Sequence, residues 1–324
     1  MTSPEVTVVI PTRDRWHLLS RCALPSVRAQ EDVELELVVV DDGSSDDETS
    51  ARLAEISDRR LRVLRHEVGL GQAAARNAGA SIARGTWLAF LDDDDLWAPR
   101  KLRVQLDAAT TSGAGWAYAR SITVDASLRA IRDDPFPAPA ELPQRLLRGN
   151  SLPGGGSNVI VRSDLFEQVG GFDESLSTVE DWDLWLRLLE SGLPVACDEL
   201  TMASMEHGQN SIVREWPKVK VAVDRMMSKY RPVTERDRRG VAQWIAIEQY
   251  RAGRRLTAAR MFLSIAVRHR SPGNVPVAAG ALFGDAGLRL ASQLLLKTRG
   301  VSHVQPWITA APPVKEPDWL SLYR

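Results

Sequence analysis

Residues 87–95 read Trp-Leu-Ala-Phe-Leu-Asp-Asp-Asp-Asp, an apolar run that ends in four carboxylates. A short unbroken apolar run of this kind fits a strand buried on both faces of a sheet. In an open α/β sheet the space beyond the carboxyl ends of the strands is where ligands bind, so Asp92, Asp93, Asp94 and Asp95 would stand on a binding rim. An isolated Asp run is most simply a solvated turn. At the end of a buried strand the mutual repulsion of the carboxylates has to be offset, and a divalent cation with a preference for oxygen does this while keeping positions open for phosphate oxygens.

Other runs repeat the pattern. Val6 to Ile10 ends at Pro11, and Glu36 to Val40 ends at Asp41-Asp42-Gly43-Ser44. The spacing predicts helices over 15–29, 46–56 and 72–83 and a strand over 61–65, so strands and helices alternate as in a doubly wound α/β sheet. Asp41 stands where its side chain can accept hydrogen bonds from a base or ribose. Pro11-Thr12-Arg13-Asp14 adds a cation, although a surface loop is nearly as natural a reading of Arg13. Residues 114–134 read as irregular strand, Pro135 to Pro143 as a Pro/Ala-rich loop suited to covering a substrate, and 158–162 as a strand. Before that strand, Gly154-Gly155-Gly156-Ser157 would let backbone approach a ligand. A helix is expected over 180–190, with Leu184, Trp185 and Leu188 inward, and Trp182 is left free to stack on a sugar ring.

Beyond residue 215 the pattern is helical, over 219–230, 235–251, 256–269 and 277–297, so the expected domains are 1–214 and 215–324. The 324 residues carry 41 Lys/Arg against 42 Asp/Glu, net −1, which gives no electrostatic reason to bind nucleic acid. The halves differ: residues 215–324 hold 19 Lys/Arg and 8 Asp/Glu, net +11, and residues 1–214 hold 22 and 34, net −12. The basic helices could rest on an anionic membrane, since the apolar stretch 275–296 is interrupted by Asp285 and Arg289 and is unsuited to spanning one. Cys22 and Cys197 form no metal or disulfide pattern and read as inert core thiols. Without a basic-then-apolar leader, the chain is expected in the cytoplasm or at the inner face of the membrane.

Four segments taken in order carry a resemblance: Val8 to Leu19 ("VVIPTRDRWHLL"), Leu37 to Thr49, Gly69 to Trp97, and "GGFDESLSTVEDWDLWLRL" at 170–188. Over about residues 5–212 the chain resembles family 2 glycosyltransferases of the GT-A fold, whose domain is Rossmann-like with a mixed, mainly parallel sheet. The resemblance implies an inverting, metal-dependent transferase using a nucleotide-sugar donor. It puts nucleobase reading, commonly of uracil, on Asp41 and lines the nucleoside pocket with Pro11, Thr12 and Arg13. Arg76 matches a donor-contacting position. The Asp-x-Asp signature falls on Asp92 and Asp94, Asp94 being favoured for the metal and Asp92 or Asp93 for the ribose, with the register open by one residue. His207 matches a position that in some members reaches the metal or diphosphate.

Such a transfer leaves two phosphates negative, so Mg²⁺ or Mn²⁺ near the departing diphosphate lowers the barrier. The acceptor hydroxyl must also lose a proton. Glu180-Asp181-Trp182-Asp183, at a helix start where backbone N–H groups favour an anion, offers the base. The family comparison favours Asp181, with Glu180 as the fallback. The acceptor is open among a glycan, a lipid-linked and a small molecule. Two rivals are a sugar nucleotidyltransferase, for which the glycine-rich phosphate loop expected after the first strand is missing, and an inactive nucleotide-sugar binding protein.

Overall fold

The computed structural model describes residues 3–45, 47–206, 216–230, 233–299 and 316–324. Two compact units result. The first takes the described residues up to Ala140, Leu152–Met205 and those from Glu316 onward; the second takes Glu141–Ser151 and those from Glu206 to 299.

The first unit holds a nine-stranded sheet, β1 (Val6–Thr12), β2 (Leu35–Asp41), β3 (Leu61–Arg65), β4 (Trp87–Phe90), β5 (Leu96–Trp97), β6 (Trp116–Val124), β7 (Ala130–Asp133), β8 (Ile160–Arg162) and β9 (Val195–Met205). The order is β3-β2-β1-β4-β8-β6-β9-β5, with β7 beside β6. Strands β1 to β4 run parallel to one another and β9 runs parallel to β6, while β8 is antiparallel to both β4 and β6. The α/β expectation with a mixed, mainly parallel sheet holds. Register decides where the acids emerge. Thr12 lies beside Asp41 and Val9 beside Phe90, so the residues after β4 leave the sheet level with Pro11 and Thr12.

Alternate residues of β1, β2 and β4 (Val8, Ile10, Leu37, Val39, Trp87, Ala89), with Leu91 just beyond β4, face one core with α1 (Trp16–Arg21), α2 (Ala23–Arg28) and α5 (Lys101–Ser112). The sequence suggested one helix over 15–29. Pro25 has no N–H to offer the Arg21 carbonyl, and the chain breaks at Cys22. Helix α3 (Asp47–Ala54) follows β2, and α4 (Gln72–Ser81) covers the opposite face. A Cβ at Gly79 would run into Val9 and crowd Val40, so only glycine lets α4 approach so closely. The loop after Asp134 is anchored at its start, where the Tyr118 hydroxyl donates to the Pro137 carbonyl and Phe136 packs on the Tyr118 ring.

In the second unit α6 (Leu142–Arg145) accompanies the later helices, and α7 (Ser163–Gln168) and α8 (Glu180–Ser191) belong to the sheet unit. Helices α9 (Trp216–Lys229), α10 (Glu235–Arg251), α11 (Arg255–Arg268), α12 (Asn274–Leu282) and α13 (Gly284–Arg299) follow. Ala246, Ile247, Phe262, Ile265, Val277, Ala281 and Leu288 form the core shared by α10 to α13. The long helix expected over 277–297 is divided at Gly284, whose φ of +74° ends the α-helical path. Helices α12 and α13 meet backbone to backbone: a Cβ on Gly280 would lie 2.6 Å from the Gly287 carbonyl oxygen. Among the described residues no helix is long and apolar enough to cross a membrane.

The final residues return to the sheet unit. Leu320 is buried beside Leu96, Ile122 and Ala203. The Trp319 indole donates to the Leu200 carbonyl at 3.1 Å and the Tyr323 hydroxyl to that of Trp97 at 3.0 Å.

Candidate active site

The acidic tetrad divides into two sets. Asp93 turns toward β1, where it accepts the Thr12 hydroxyl at 2.8 Å and lies 3.2 Å from Arg15. Arg15 also pairs with Asp94. Burial pushes the Asp93 carboxyl up to about 7 against the pull of Arg15, and Asp94 adds to the rise. Sequence reasoning points to Arg13 and does not reach Arg15. Arg13 is instead largely exposed, 3.8 Å from Asp14, and lies over Gly69. The short helix α1, which begins one residue after Arg15, sets which cation faces the tetrad, and the alternation of arginines in Thr12-Arg13-Asp14-Arg15 carried no signal of it.

The other set is Asp92, Asp94 and Asp95, whose carboxylate oxygens lie within 4.8 Å of one another. Asp95 accepts the Met205 N–H at 3.0 Å. Burial, then Asp94 and Asp92, pushes the Asp95 carboxyl well above the usual carboxylate range. Arg15 pairs with Asp94 and Arg76 with Asp92, which offsets part of the repulsion, and three convergent hard oxygen donors fit Mg²⁺ or Mn²⁺. Asp95 was not singled out in the sequence; its convergence with Asp92 and Asp94 depends on the turn after β4. His207 lies outside the described residues.

Arg76, on α4, joins this rim to the helix α8. One terminal nitrogen donates to Asp92 at 2.6 Å and the other to Glu180 at 2.7 Å, with the side chain 2% exposed. Gln72, one turn earlier, also donates to Asp92 at 2.8 Å. Burial, opposed by Arg76, raises the Glu180 carboxyl, with Asp181 adding to the rise. Asp181 adjoins Arg76 electrostatically. Asp183 is fully buried and pairs with Arg187 at 2.8 Å. Trp182 is also fully buried, so its ring is not available to a sugar; Trp185 stacks on Trp116 at 6.1 Å.

The glycine stretch approaches the protein's own charges. A Cβ on Gly155 would sit 3.1 Å from an Asp181 oxygen, and one on Gly156 would sit 3.2 Å from Arg76. Ser157 accepts the Asp92 N–H at 3.0 Å, tying the stretch to the tetrad. Just before Glu180, Val179 has φ +61°, a left-handed conformation that is strained for a β-branched residue. Sequence gave no sign of this turn, which sets where Glu180 and Asp181 start their helix.

On β2, Asp41 is 1% exposed and accepts from the Ser44 N–H at 2.9 Å, the Ser50 hydroxyl at 2.8 Å and Arg65 at 3.1 Å. Asp42 accepts the N–H groups of Leu70 at 2.9 Å and Gly71 at 2.8 Å, fixing the entry to α4 and with it Gln72 and Arg76. Pro11 and Thr12 are buried at the end of β1.

A mixed sheet whose strand ends gather carboxylates around a buried arginine defines the candidate site of an α/β protein. Residues 7–170 match the family described as Glycosyl transferase family 2, and the chain belongs to it. It is 36% identical over 203 residues to the succinoglycan biosynthesis protein ExoO of Rhizobium meliloti (strain 1021), covering 58% of this chain and 57% of that protein. It is 30% identical over 185 residues to WfgD of Escherichia coli, a UDP-Glc:alpha-D-GlcNAc-diphosphoundecaprenol beta-1,3-glucosyltransferase, covering 57% of this chain and 70% of WfgD. Among solved structures, S. aureus TarS 1-349 in complex with UDP-GlcNAc shares the fold, with TM-score 0.53 at 18% identity over 90% of this chain and 86% of that one.

Proposed function

We propose that this protein is an inverting glycosyltransferase that moves a sugar from a nucleoside-diphosphate sugar, foremost a UDP-sugar, to the hydroxyl of a glycan, lipid-linked or small-molecule acceptor in the cytoplasm. The observation that carries the reading is the buried Arg76, which joins Asp92 on the acidic rim to Glu180 beside Asp181. Family membership, the UDP-Glc named for WfgD and the UDP-GlcNAc bound by TarS support it.

In this reading Pro11, Thr12, Arg13 and Asp41 line the nucleoside site, and Asp93 with Arg15 shapes the ribose side. Asp92, Asp94 and Asp95, with His207 as a further candidate, would hold a divalent ion. When bound, that ion supplies charge stabilisation to the departing diphosphate. Asp181 takes the proton of the acceptor hydroxyl. The acceptor oxygen bonds to the anomeric carbon as the carbon–phosphate oxygen bond breaks, and the electron pair leaves with the diphosphate. Attack on the face opposite the leaving group inverts the centre. Arg76 holds Glu180, and through it the start of α8, against the rim.

The experiment is Asp181→Asn with UDP-glucose and UDP-N-acetylglucosamine. UDP binding, read by thermal shift, is retained, while donor turnover with Mn²⁺ falls by about 10²–10⁴-fold, the usual effect of removing a general base. Unchanged turnover would remove Asp181 from this role. Absence of any UDP stabilisation in the parent would remove the UDP reading.

A further inference from the structure

From Gln249 to Gly284 the chain contains no Asp or Glu, whereas Arg251, Arg254, Arg255, Arg260, Arg268 and Arg270 all fall within it. Nothing in the transferase reading uses these residues. The structure turns this stretch into the helices α11 and α12 and the start of α13.

On α11, Leu256, Arg260, Leu263 and Val267 are all exposed, Val267 at 78%. At 3.6 residues per turn they lie within about 60° of one another, on the side away from the buried Ala258, Ala259, Phe262 and Ile265. Helix α12 repeats the arrangement with Val275, Ala279 and Leu282, and Phe283, which follows it, is 78% exposed. Arg255 lies against Gly284, so α11 starts where α12 ends and the two helices run antiparallel. Leu256 therefore falls near Leu282 and Phe283, and Val267 toward Val275. Among the described residues no ion pair engages Arg255, Arg260, Arg268 or Arg270.

On this surface Arg260 stands among Leu256, Leu263 and Val267, Arg255 and Arg268 flank the stripe, α12 adds an uncharged apolar row, and neither helix carries a carboxylate, which is the chemistry of an interface-lying helix. The apolar side chains enter the boundary between headgroups and acyl chains, and the guanidinium groups meet lipid phosphates. We propose that the outer face of α11 and α12 docks on an anionic lipid surface. A second copy of the chain is less well matched: arginines on a self-complementary face would meet each other. The proposal does not rest on the transferase reading, because docking is measured without donor or turnover.

The test is cosedimentation of the full chain with vesicles of phosphatidylcholine alone and of phosphatidylcholine mixed with phosphatidylglycerol. Binding is expected only to the mixed vesicles and falls as salt is raised. Arg255→Glu and Arg260→Glu should each weaken it by at least about fivefold, the effect of removing one basic residue at such a surface. Leu263→Glu with Val267→Glu should abolish it, with helical circular dichroism and the thermal unfolding midpoint unchanged as the check on folding. Equal binding to both vesicle types, no binding to either, or variants that bind like the parent would overturn the proposal. So would a dimer in solution, by light scattering, that the same variants dissociate while vesicle binding is absent.

Discussion

Arg76 and Glu180 stand 104 positions apart in the chain and are hydrogen-bonded at 2.7 Å inside the protein. The same guanidinium holds Asp92, so a single side chain on α4 joins the strand that delivers the acids to the helix that carries Asp181. Burial works against the charge on Arg76, and Asp92 and Glu180 outweigh it, so the group is held more firmly protonated than a free arginine.

Arg76→Met leaves the buried Glu180 without its partner and strips a charge-assisted hydrogen bond from the half-buried Asp92. Stability is expected to drop by about 3–5 kcal/mol, the usual effect of breaking a buried ion pair from one side. Glu180→Gln keeps an acceptor for Arg76 and is expected to lower stability by about 1–3 kcal/mol. Urea unfolding of the two variants checks the order; equal midpoints would mean that Arg76 is not the clasp.

A divalent ion should stabilise the chain by mass action, by about 2.7 kcal/mol at a hundredfold excess over its Kd. Asp94→Asn is expected to lose most of this stabilisation. Asp93→Asn is expected to keep it, because Asp93 is turned toward Thr12 and Arg15. Thermal unfolding in Mn²⁺ and in a chelator, without any nucleotide, separates the two.

Lys101 on α5 is fully buried, has no hydrogen-bond partner for its ammonium among the described residues, and lies 3.9 Å from the Trp97 ring centre. Burial lowers its pKa well below the ordinary lysine value of about 10.4. Between the depressed folded value and the ordinary one the unfolded chain holds a proton that the folded one lacks, so this group makes stability rise with pH. The rise approaches about 1.4 kcal/mol per pH unit at most. Below the folded pKa the penalty is present in full. Lys101→Met is therefore expected to be the more stable protein at pH 7 and to lose that part of the slope, as read by urea unfolding at stepped pH. Comparison with the parent cancels the opposing contribution of Cys22, whose thiol burial raises to about 12; the Cys197 thiol, raised by burial to about 11, is pulled down by Lys101 itself and rises further in the variant.

The parts of the fold written in local pattern were legible. Buried parallel strands announce themselves as β-branched runs, as β1 and β2 do, and the part-exposed edge strand β3 also runs from Leu61 to Arg65 as the spacing predicts. Helix α10 likewise spans Glu235–Arg251, where a capping box of Thr234 and Asp237 marks its start. Helix α5 was overlooked although Leu102, Gln105, Leu106 and Ala109 have helical spacing. In the site, the acidic tetrad and the Glu180-Asp181 pair stood out because carboxylates cluster there without basic neighbours in sequence. Which acid turns which way did not, since Asp93 and Asp95 are sorted by Thr12, Arg15, Ser157 and Met205, brought from other strands and loops. Arg76 was noticed as a cation, but its pairing with Glu180 depends on tertiary closure that no local window records.

Leu320 seals a patch of β5, β6 and β9. Translation completes those strands long before it reaches the residue that covers them, so on the ribosome this apolar area waits open while the helices from α9 to α13 are being made. Contacts of such long separation slow folding more than they weaken the folded state. The order of synthesis thus leaves this patch of the sheet unit uncovered until the last residues arrive, as the surface a chaperone would meet.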